Sequence, residues 1–254
     1  MKKKSLLSRT IKYRLWNNFA NPRALRGLAA AAVGMNYRPV FPARGVDRGE
    51  VVVLVHGLLH SSAVMYRFAT ALAKDGYTVE VYDYRTTRAD YPEHATAYRE
   101  YLREIFRKYP DAPVNIVTHS MGGIITRIAL ADEDDPLDMT RIKCVVMLAP
   151  PNRGSACASE VVARIPRLSR MLCKPLRNLC DDPGSLIHTL PWLCNVRIGV
   201  IAGVYDRRVA LHSTPCPGQV DYLELPCGHS FMMFNTEIHK QTLNFLEQGF
   251  FMHR

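Results

Sequence analysis

One serine in the sequence stands where a strand pattern leads directly into a helix pattern. The run from Pro113 to Thr118 indicates a strand, and the residues from Met121 to about Ala131 indicate a helix. Ser120 lies in the sharp turn between them, where a strained backbone would project its hydroxyl from the end of a sheet. The helix N-terminus directs its dipole and its N–H groups toward developing negative charge. This arrangement is typical of a nucleophile.

Strand and helix patterns alternate along the chain from residue 50 onwards. Apolar and β-branched runs indicate six strands, near residues 51–55, 77–84, 113–118, 143–148, 196–202 and 220–225. Helices are indicated near residues 61–74, 93–109, 121–131 and 236–248. Such alternation predicts an α/β fold with a mainly parallel sheet of about six strands and helices on both faces.

The segment 117–123 reads Val-Thr-His-Ser-Met-Gly-Gly and resembles the nucleophile turn of the α/β-hydrolase fold, particularly its lipases and esterases. The usual pattern is G-x-S-x-G, and Thr118 replaces the first glycine. Threonine is bulkier and needs more room, and we interpret it as variation within the pattern. Residues 148–155 resemble the point where lipase-like members leave the sheet to build a cap. The resemblance covers roughly residues 50–248.

The resemblance also implies the other parts of a serine-hydrolase site. Asp206 would orient the base, and His229 would take the proton of Ser120. The chain order Ser120, Asp206, His229 is the order that this fold uses. The backbone N–H groups of Leu58 and Met121 would form the oxyanion hole.

Other polar residues near these positions are expected to have structural roles. His56 would hold its turn together, and His119 would pack against the turn that carries the nucleophile. The acidic run 132–135 ends a helix before a proline, so we expect a solvated turn there rather than a metal site. The remaining candidates for the acid, Asp181, Asp182 and Asp221, fit its position less well.

Residues 152–195 interrupt the alternation of strands and helices. This stretch contains four of the seven cysteines and many apolar residues. Loops of this length are uncommon unless they fold into a functional element. We therefore predict a small, mostly helical cap insertion at about 152–195, which would provide an apolar acyl pocket.

The net charge of +10 is concentrated at the start of the chain, because residues 1–46 contain ten Lys or Arg and no acid. Within 5–19, apolar residues recur every four positions, which predicts an amphipathic helix with a basic remainder. Such a helix either packs on the body or lies on an anionic membrane surface. The neutral remainder, residues 47–254, forms the predicted hydrolase domain and argues against nucleic-acid binding.

Seven cysteines without a C-x-x-C pair do not predict a disulfide framework or a zinc site, and a reducing compartment is the simpler interpretation. The first apolar run comes too late for a typical cleaved secretory signal, and it is too short to span a bilayer. We expect a cytoplasmic protein, with peripheral contact of the arm with the inner membrane face as an open alternative.

The predicted function is hydrolysis of carboxylic esters by a catalytic triad through an acyl-enzyme, on an apolar, lipid-like substrate and without metal or organic cofactor. An acyltransferase with the same triad is the first alternative. A catalytically silent protein that binds a lipid or another partner is the second. Amides and thioesters also remain open substrates, because the carbonyl chemistry is shared.

Overall fold

The computed structural model describes residues 36–164, 174–193 and 195–253, together with residues 25, 26 and 29. The amphipathic helix predicted at 5–19 lies outside the described residues, so its contact with a membrane stays a prediction. Within the described ranges, no helix is both long and apolar enough to cross a membrane.

A seven-stranded sheet forms the centre of the molecule. Its strands are β1 (Val40–Phe41), β2 (Val51–Val55), β3 (Thr78–Tyr82), β4 (Val114–His119), β5 (Ile142–Leu148), β6 (Arg197–Gly203) and β7 (Asp221–Leu225). The order across the sheet is β1-β3-β2-β4-β5-β6-β7, and only β1 runs antiparallel to its neighbour. The carboxyl ends of the six parallel strands therefore meet at one edge.

The described helices include four that cover the two faces of this sheet and two short ones between β5 and β6. They are α1 (Ser62–Lys74), α2 (Tyr91–Lys108), α3 (Met121–Leu130), α4 (Ala156–Arg164), α5 (Lys174–Asn178) and α6 (Thr236–Gln248). A capping box formed by Asp90 and Glu93 starts α2. Gly249, with a φ of 84°, ends α6 in the left-handed conformation that glycine adopts without strain.

The core consists of two apolar layers, one on each side of the sheet. Alternate residues of β2 point to opposite layers, with Val51, Val53 and Val55 on one side and Val52 and Leu54 on the other. The first layer includes apolar residues of α2 and α3, and the second includes those of α1 and α6. β2 is therefore buried on both faces, as its uninterrupted apolar run predicts.

The predicted fold class is confirmed, with one strand more than the six expected. The strand that the sequence did not reveal is β1, whose two residues are too few to show a periodic pattern. It pairs with β3 through Val40 and Phe41, so the sheet begins before residue 47, inside the segment assigned to the arm.

The chain between β5 and β6 leaves the sheet and forms short helices over its carboxyl edge. Its described parts contain α4, α5 and a 3₁₀ helix at Leu186–His188. Residues 165–173 and 194 of the predicted cap lie outside the described residues. The described part of the predicted cap thus contains three short helices, which are separated by turns and loops.

The acidic turn after α3 is more strongly bound than expected. Asp132 forms an ion pair with Arg99, and Asp135 forms ion pairs with Arg99 and Arg103 of α2. These contacts attach the end of α3 to α2. In the described part of the chain, no group of three or more His, Cys, Asp or Glu side chains is arranged to hold a metal ion.

Candidate active site

Ser120 occupies the turn between β4 and α3 in a strained conformation, with φ 54° and ψ −124°. This is an unfavourable region for a residue with a side chain, and it persists because the surrounding contacts fix it. The Ser120 N–H donates to the Leu148 carbonyl at 2.9 Å, and its carbonyl accepts from the Gly123 N–H at 2.9 Å. The strain expected from the sequence is therefore present.

Two glycines allow the turn after β2 to approach the turn that carries Ser120. A Cβ at Gly57 would lie 2.9 Å from the Cβ of Ser120. A Cβ at Gly122 would lie 2.8 Å from the Val55 carbonyl oxygen and 2.9 Å from that of His56. Real Cβ atoms do not approach other atoms this closely, so the contact between the two turns requires glycine at both positions.

Gly123, the second glycine after Ser120, provides the room that Thr118 needs. The Thr118 side chain is fully buried, and its hydroxyl has no hydrogen-bond partner. A Cβ at Gly123 would lie 3.3 Å from the Thr118 hydroxyl and 3.1 Å from the Pro150 side chain. Thr118, the bulkier residue in the first motif position, is thus accommodated by Gly123, a relation that the sequence pattern does not reveal.

The structure brings Ser120, His229 and Asp206 together at the carboxyl edge of the sheet. His229 Nε2 lies 3.0 Å from Ser120 Oγ, and His229 Nδ1 lies 2.6 Å from Asp206 Oδ2. The second carboxylate oxygen, Asp206 Oδ1, accepts the backbone N–H groups of Arg208 at 2.8 Å and Val209 at 3.0 Å. The carboxylate is thereby held in a fixed orientation toward the imidazole.

His119 contacts the backbone of the candidate base. Its Nε2 lies 3.1 Å from the His229 carbonyl oxygen, and the two rings are 4.8 Å apart. Burial lowers the pKa of His119 well below its ordinary value, so the ring is neutral at pH 7. His119 packs beside the nucleophile as expected, and it also fixes the position of His229, which the sequence did not reveal.

His60 is a further histidine near Ser120 that sequence reasoning missed. Its ring lies 5.7 Å from that of His119. Burial, with help from neighbouring positive charges, lowers the pKa of His60 to about 4, so it is neutral at pH 7. A neutral His60 adds no positive charge to the surroundings of Ser120.

The two expected oxyanion donors lie on the two turns that these glycines bring together. Met121 is the first residue of α3, so its N–H has no acceptor within the helix. Leu58 lies in the turn after β2, where Leu59 has a φ of 60° and donates its N–H to the Thr86 hydroxyl at 3.0 Å. Both turns border the cavity next to Ser120.

His56 fixes the turn that carries Leu58. Its Nε2 lies 2.9 Å from Asp83 Oδ1, and its Nδ1 lies 3.1 Å from the Gly57 carbonyl oxygen. Its own carbonyl accepts the Tyr84 hydroxyl at 2.8 Å. Because both ring nitrogens are occupied, His56 holds the turn, as the sequence predicts, rather than facing the nucleophile.

A cavity of about 330 Å³ opens beside Ser120 and His229. Its wall is mainly apolar and includes Leu176 and Leu179 and, from α4, Ala158 and Val161. A larger cavity, of about 490 Å³, lies around Asp90, Arg177 and Asp182 and is lined by neither Ser120 nor His229. The smaller one is therefore the candidate substrate pocket, because it alone of the two contacts the nucleophile.

Arg127 of α3 attaches the cap to the helix that follows Ser120. Its guanidinium is fully buried and donates to the carbonyl oxygens of Leu190 and Pro191 at 3.1 Å, and it lies 3.9 Å from the centre of the Trp192 ring. It also contacts Asn152, just after β5. Burial lowers the pKa of Arg127 to about 10, which leaves it charged at pH 7.

Comparisons with known proteins relate this architecture to the α/β-hydrolase fold. Residues 50–172 match a family model described as "alpha/beta hydrolase fold". No curated protein sequence matches the chain significantly. The mature lipase BlEst2 of Bacillus licheniformis superposes with a TM-score of 0.61 at 19% identity, over 82% of this chain and 95% of the lipase.

Two further solved structures have a similar fold. A soluble variant of monoglyceride lipase from Saccharomyces cerevisiae gives a TM-score of 0.60 at 14% identity, over 84% of this chain and 90% of the other. The enol-lactonase of Burkholderia xenovorans LB400 gives a TM-score of 0.54 at 18% identity, over 84% of this chain and 96% of the lactonase. At such low identities the likeness concerns the fold.

Proposed function

Since the chain has the α/β-hydrolase fold, we propose that it is a serine hydrolase that cleaves carboxylic esters. The observation that carries this proposal is the hydrogen-bonded series from Ser120 Oγ through His229 to Asp206, with distances of 3.0 and 2.6 Å. A nucleophile, a base and an orienting acid within hydrogen-bond reach are the parts that acyl transfer requires.

In the first half of the reaction, Ser120 Oγ attacks the ester carbonyl carbon while His229 Nε2 takes the hydroxyl proton. The carbonyl oxygen becomes an oxyanion, which the N–H groups of Leu58 and Met121 stabilise. The tetrahedral intermediate collapses when the bond to the alkoxy group breaks. His229 gives its proton to the departing alcohol, and the acyl group remains bound to Ser120.

In the second half, water takes the place of the alcohol. His229 removes a proton from the water, and the resulting hydroxide attacks the acyl carbon. Collapse of the second intermediate returns the proton to Ser120 Oγ and releases the carboxylic acid. Asp206 orients the imidazole and stabilises the imidazolium in both halves of the reaction.

The cavity indicates the acyl group that this site would accept. Its apolar wall favours a hydrocarbon chain, because transfer of such a chain from water is favourable in proportion to its buried area. Its volume of about 330 Å³ is at the small end of the range for ligand pockets, which favours short or medium chains.

The experiment that tests this function is a hydrolysis screen with p-nitrophenyl esters of increasing chain length. We expect Ser120→Ala to lose at least about 10⁴-fold in kcat, because it removes the nucleophile. The same variant should lose labelling by a fluorophosphonate probe while its thermal unfolding midpoint stays near that of the wild type.

A matched control is Ser62→Ala, which removes a buried hydroxyl without a hydrogen-bond partner at the start of α1. This variant should retain both turnover and labelling. Turnover that persists in Ser120→Ala would exclude Ser120 as the nucleophile and overturn the proposed function.

A further inference from the structure

Arg208 places a positive charge in the wall of the candidate substrate cavity. It follows Asp206 by two residues and lines the cavity together with Ser120 and His229. No Asp or Glu lines that cavity. Every Asp and Glu of the chain belongs to the described residues, and none of them forms an ion pair with Arg208. The side chain is exposed to solvent, and the described residues give it no ion-pair partner.

The backbone of Arg208 is fixed relative to the nucleophile. Its N–H donates to Asp206 Oδ1 at 2.8 Å, and its carbonyl oxygen accepts the Ser155 hydroxyl at 2.6 Å. These bonds connect the residue to the candidate triad on one side and to the start of the cap on the other. Both involve main-chain atoms of Arg208, so they are retained when its side chain is changed.

The charge of Arg208 also reaches the interior of the cavity. His60 lines the same cavity, and burial is the main cause of its lowered pKa. The positive charge of Arg208 acts in the same direction and makes a smaller contribution. A positive potential in an otherwise apolar, neutral pocket favours a negatively charged group on the molecule that enters it.

We propose that Arg208 binds an anionic group of the substrate, so that the preferred esters carry a carboxylate or a phosphate. This inference rests on the proposed ester hydrolysis and adds the substrate class. A guanidinium suits either anion, because its planar set of N–H donors matches two oxygens at once. The same apolar wall would accept the hydrocarbon part of the molecule.

The test compares pairs of esters in which one member carries an additional anionic group. The first pair is p-nitrophenyl pentanoate and mono-p-nitrophenyl glutarate, which places a carboxylate at the end of the acyl chain. The second pair is 1-octanoylglycerol and its 3-phosphate, which places a phosphate on the alcohol. The pair that responds identifies the source of the anion.

We expect Arg208→Gln to lower the ratio of kcat/KM for the anionic ester to that for the neutral ester about ten-fold, mainly through KM. Arg208→Lys should retain part of the preference, because it keeps the charge and loses the planar donors. Added salt should reduce the preference of the wild type.

The matched control is Arg207→Gln, which removes the same charge one residue earlier, from a side chain that does not line the cavity. It should leave the ratio unchanged. An equal loss in both variants would indicate a general surface charge and overturn the proposal, as would a ratio in Arg208→Gln within two-fold of the wild type for both pairs.

Binding measured without turnover separates this inference from the proposed function. Calorimetry with Ser120→Ala should show tighter binding of the anionic ester, and the double variant Ser120→Ala/Arg208→Gln should lose that difference. If the wild type hydrolyses no ester, the proposed function fails while calorimetry still tests Arg208. If calorimetry shows no difference that depends on Arg208, the inference fails while ester hydrolysis stands.

Discussion

Two histidine–aspartate pairs lie at the carboxyl edge of the same sheet, and they differ in what the histidine contacts next. In the first pair, His229 Nδ1 is bound to Asp206 and its Nε2 reaches the hydroxyl of Ser120. In the second pair, His56 Nε2 is bound to Asp83 and its Nδ1 reaches a backbone carbonyl. The same two side-chain types therefore serve chemistry in one place and turn geometry in the other.

The aspartates differ in the same way. Asp83 accepts the backbone N–H groups of Tyr37 and Ser62 in addition to His56, so it connects three distant segments. Burial by itself raises the pKa of Asp83, but these hydrogen bonds outweigh burial and lower it below its ordinary value. Asp206 accepts two N–H groups from its own loop. The role of each pair therefore depends on what the histidine contacts besides the aspartate, which is the Ser120 hydroxyl for His229 and a backbone carbonyl for His56.

The largest expected effect comes from Asp206→Asn. The amide can still accept the N–H groups of its own loop, but its NH₂ group faces His229 Nδ1 and favours the wrong tautomer for proton transfer from Ser120. We expect a loss of about 10⁴-fold in kcat with an unfolding midpoint near that of the wild type. Steady-state kinetics and thermal unfolding measure the two quantities. A variant with nearly normal kcat would remove Asp206 from the mechanism.

Asp83→Asn should affect stability more than chemistry. It leaves the buried His56 ring and the backbone N–H groups of Tyr37 and Ser62 without a charged partner, which costs about 3 kcal/mol. For a chain of this size the unfolding midpoint should fall by about 6–12 °C. Activity, measured well below that midpoint, should fall far less than in Asp206→Asn.

The same variant should change the response to acid. The pKa of Asp83 is lower in the folded than in the unfolded chain, so its ionised form stabilises the fold above about pH 4. That contribution is lost as the pH falls through the lowered folded pKa. Between pH 5 and 3, the unfolding midpoint of Asp83→Asn should therefore decline less steeply than that of the wild type.

An Asp83→Asn variant that is stable but as inactive as Asp206→Asn would contradict this division of roles, because it would assign both His–Asp pairs to the chemistry.

The smallest expected effect comes from Tyr84→Phe, which removes the hydroxyl that donates to the His56 carbonyl and keeps the ring stacked on His56. Loss of one such bond costs about 1 kcal/mol, or about 2–4 °C in the unfolding midpoint. The kcat/KM should stay within about two-fold of the wild type. A loss of ten-fold or more would show that small shifts of the His56 turn reach the oxyanion donors.

Most of the architecture is predictable from the sequence because it depends on local patterns. Uninterrupted apolar runs indicated strands buried on both faces, and the last helix, Thr236–Gln248, has the predicted bounds. The two-residue strand β1 escaped prediction, because its pairing with β3 is decided by the neighbouring strand rather than by its own residues. The helix predicted at 5–19 stays a prediction.

The candidate site also has parts that local sequence patterns predict and parts that depend on tertiary contacts. The sequence by itself determined the turn at Ser120 and, through the family resemblance, the candidates Asp206 and His229. Each motif consists of neighbouring residues, and the order of the motifs is visible along the chain. Only the tertiary structure decided that Ser120 and His229, 109 positions apart, lie within a hydrogen bond. It also decided that His119 holds His229 and that Arg208 lines the cavity. Such contacts join segments distant in the chain, and their distances follow from the order of the strands and the packing of the cap.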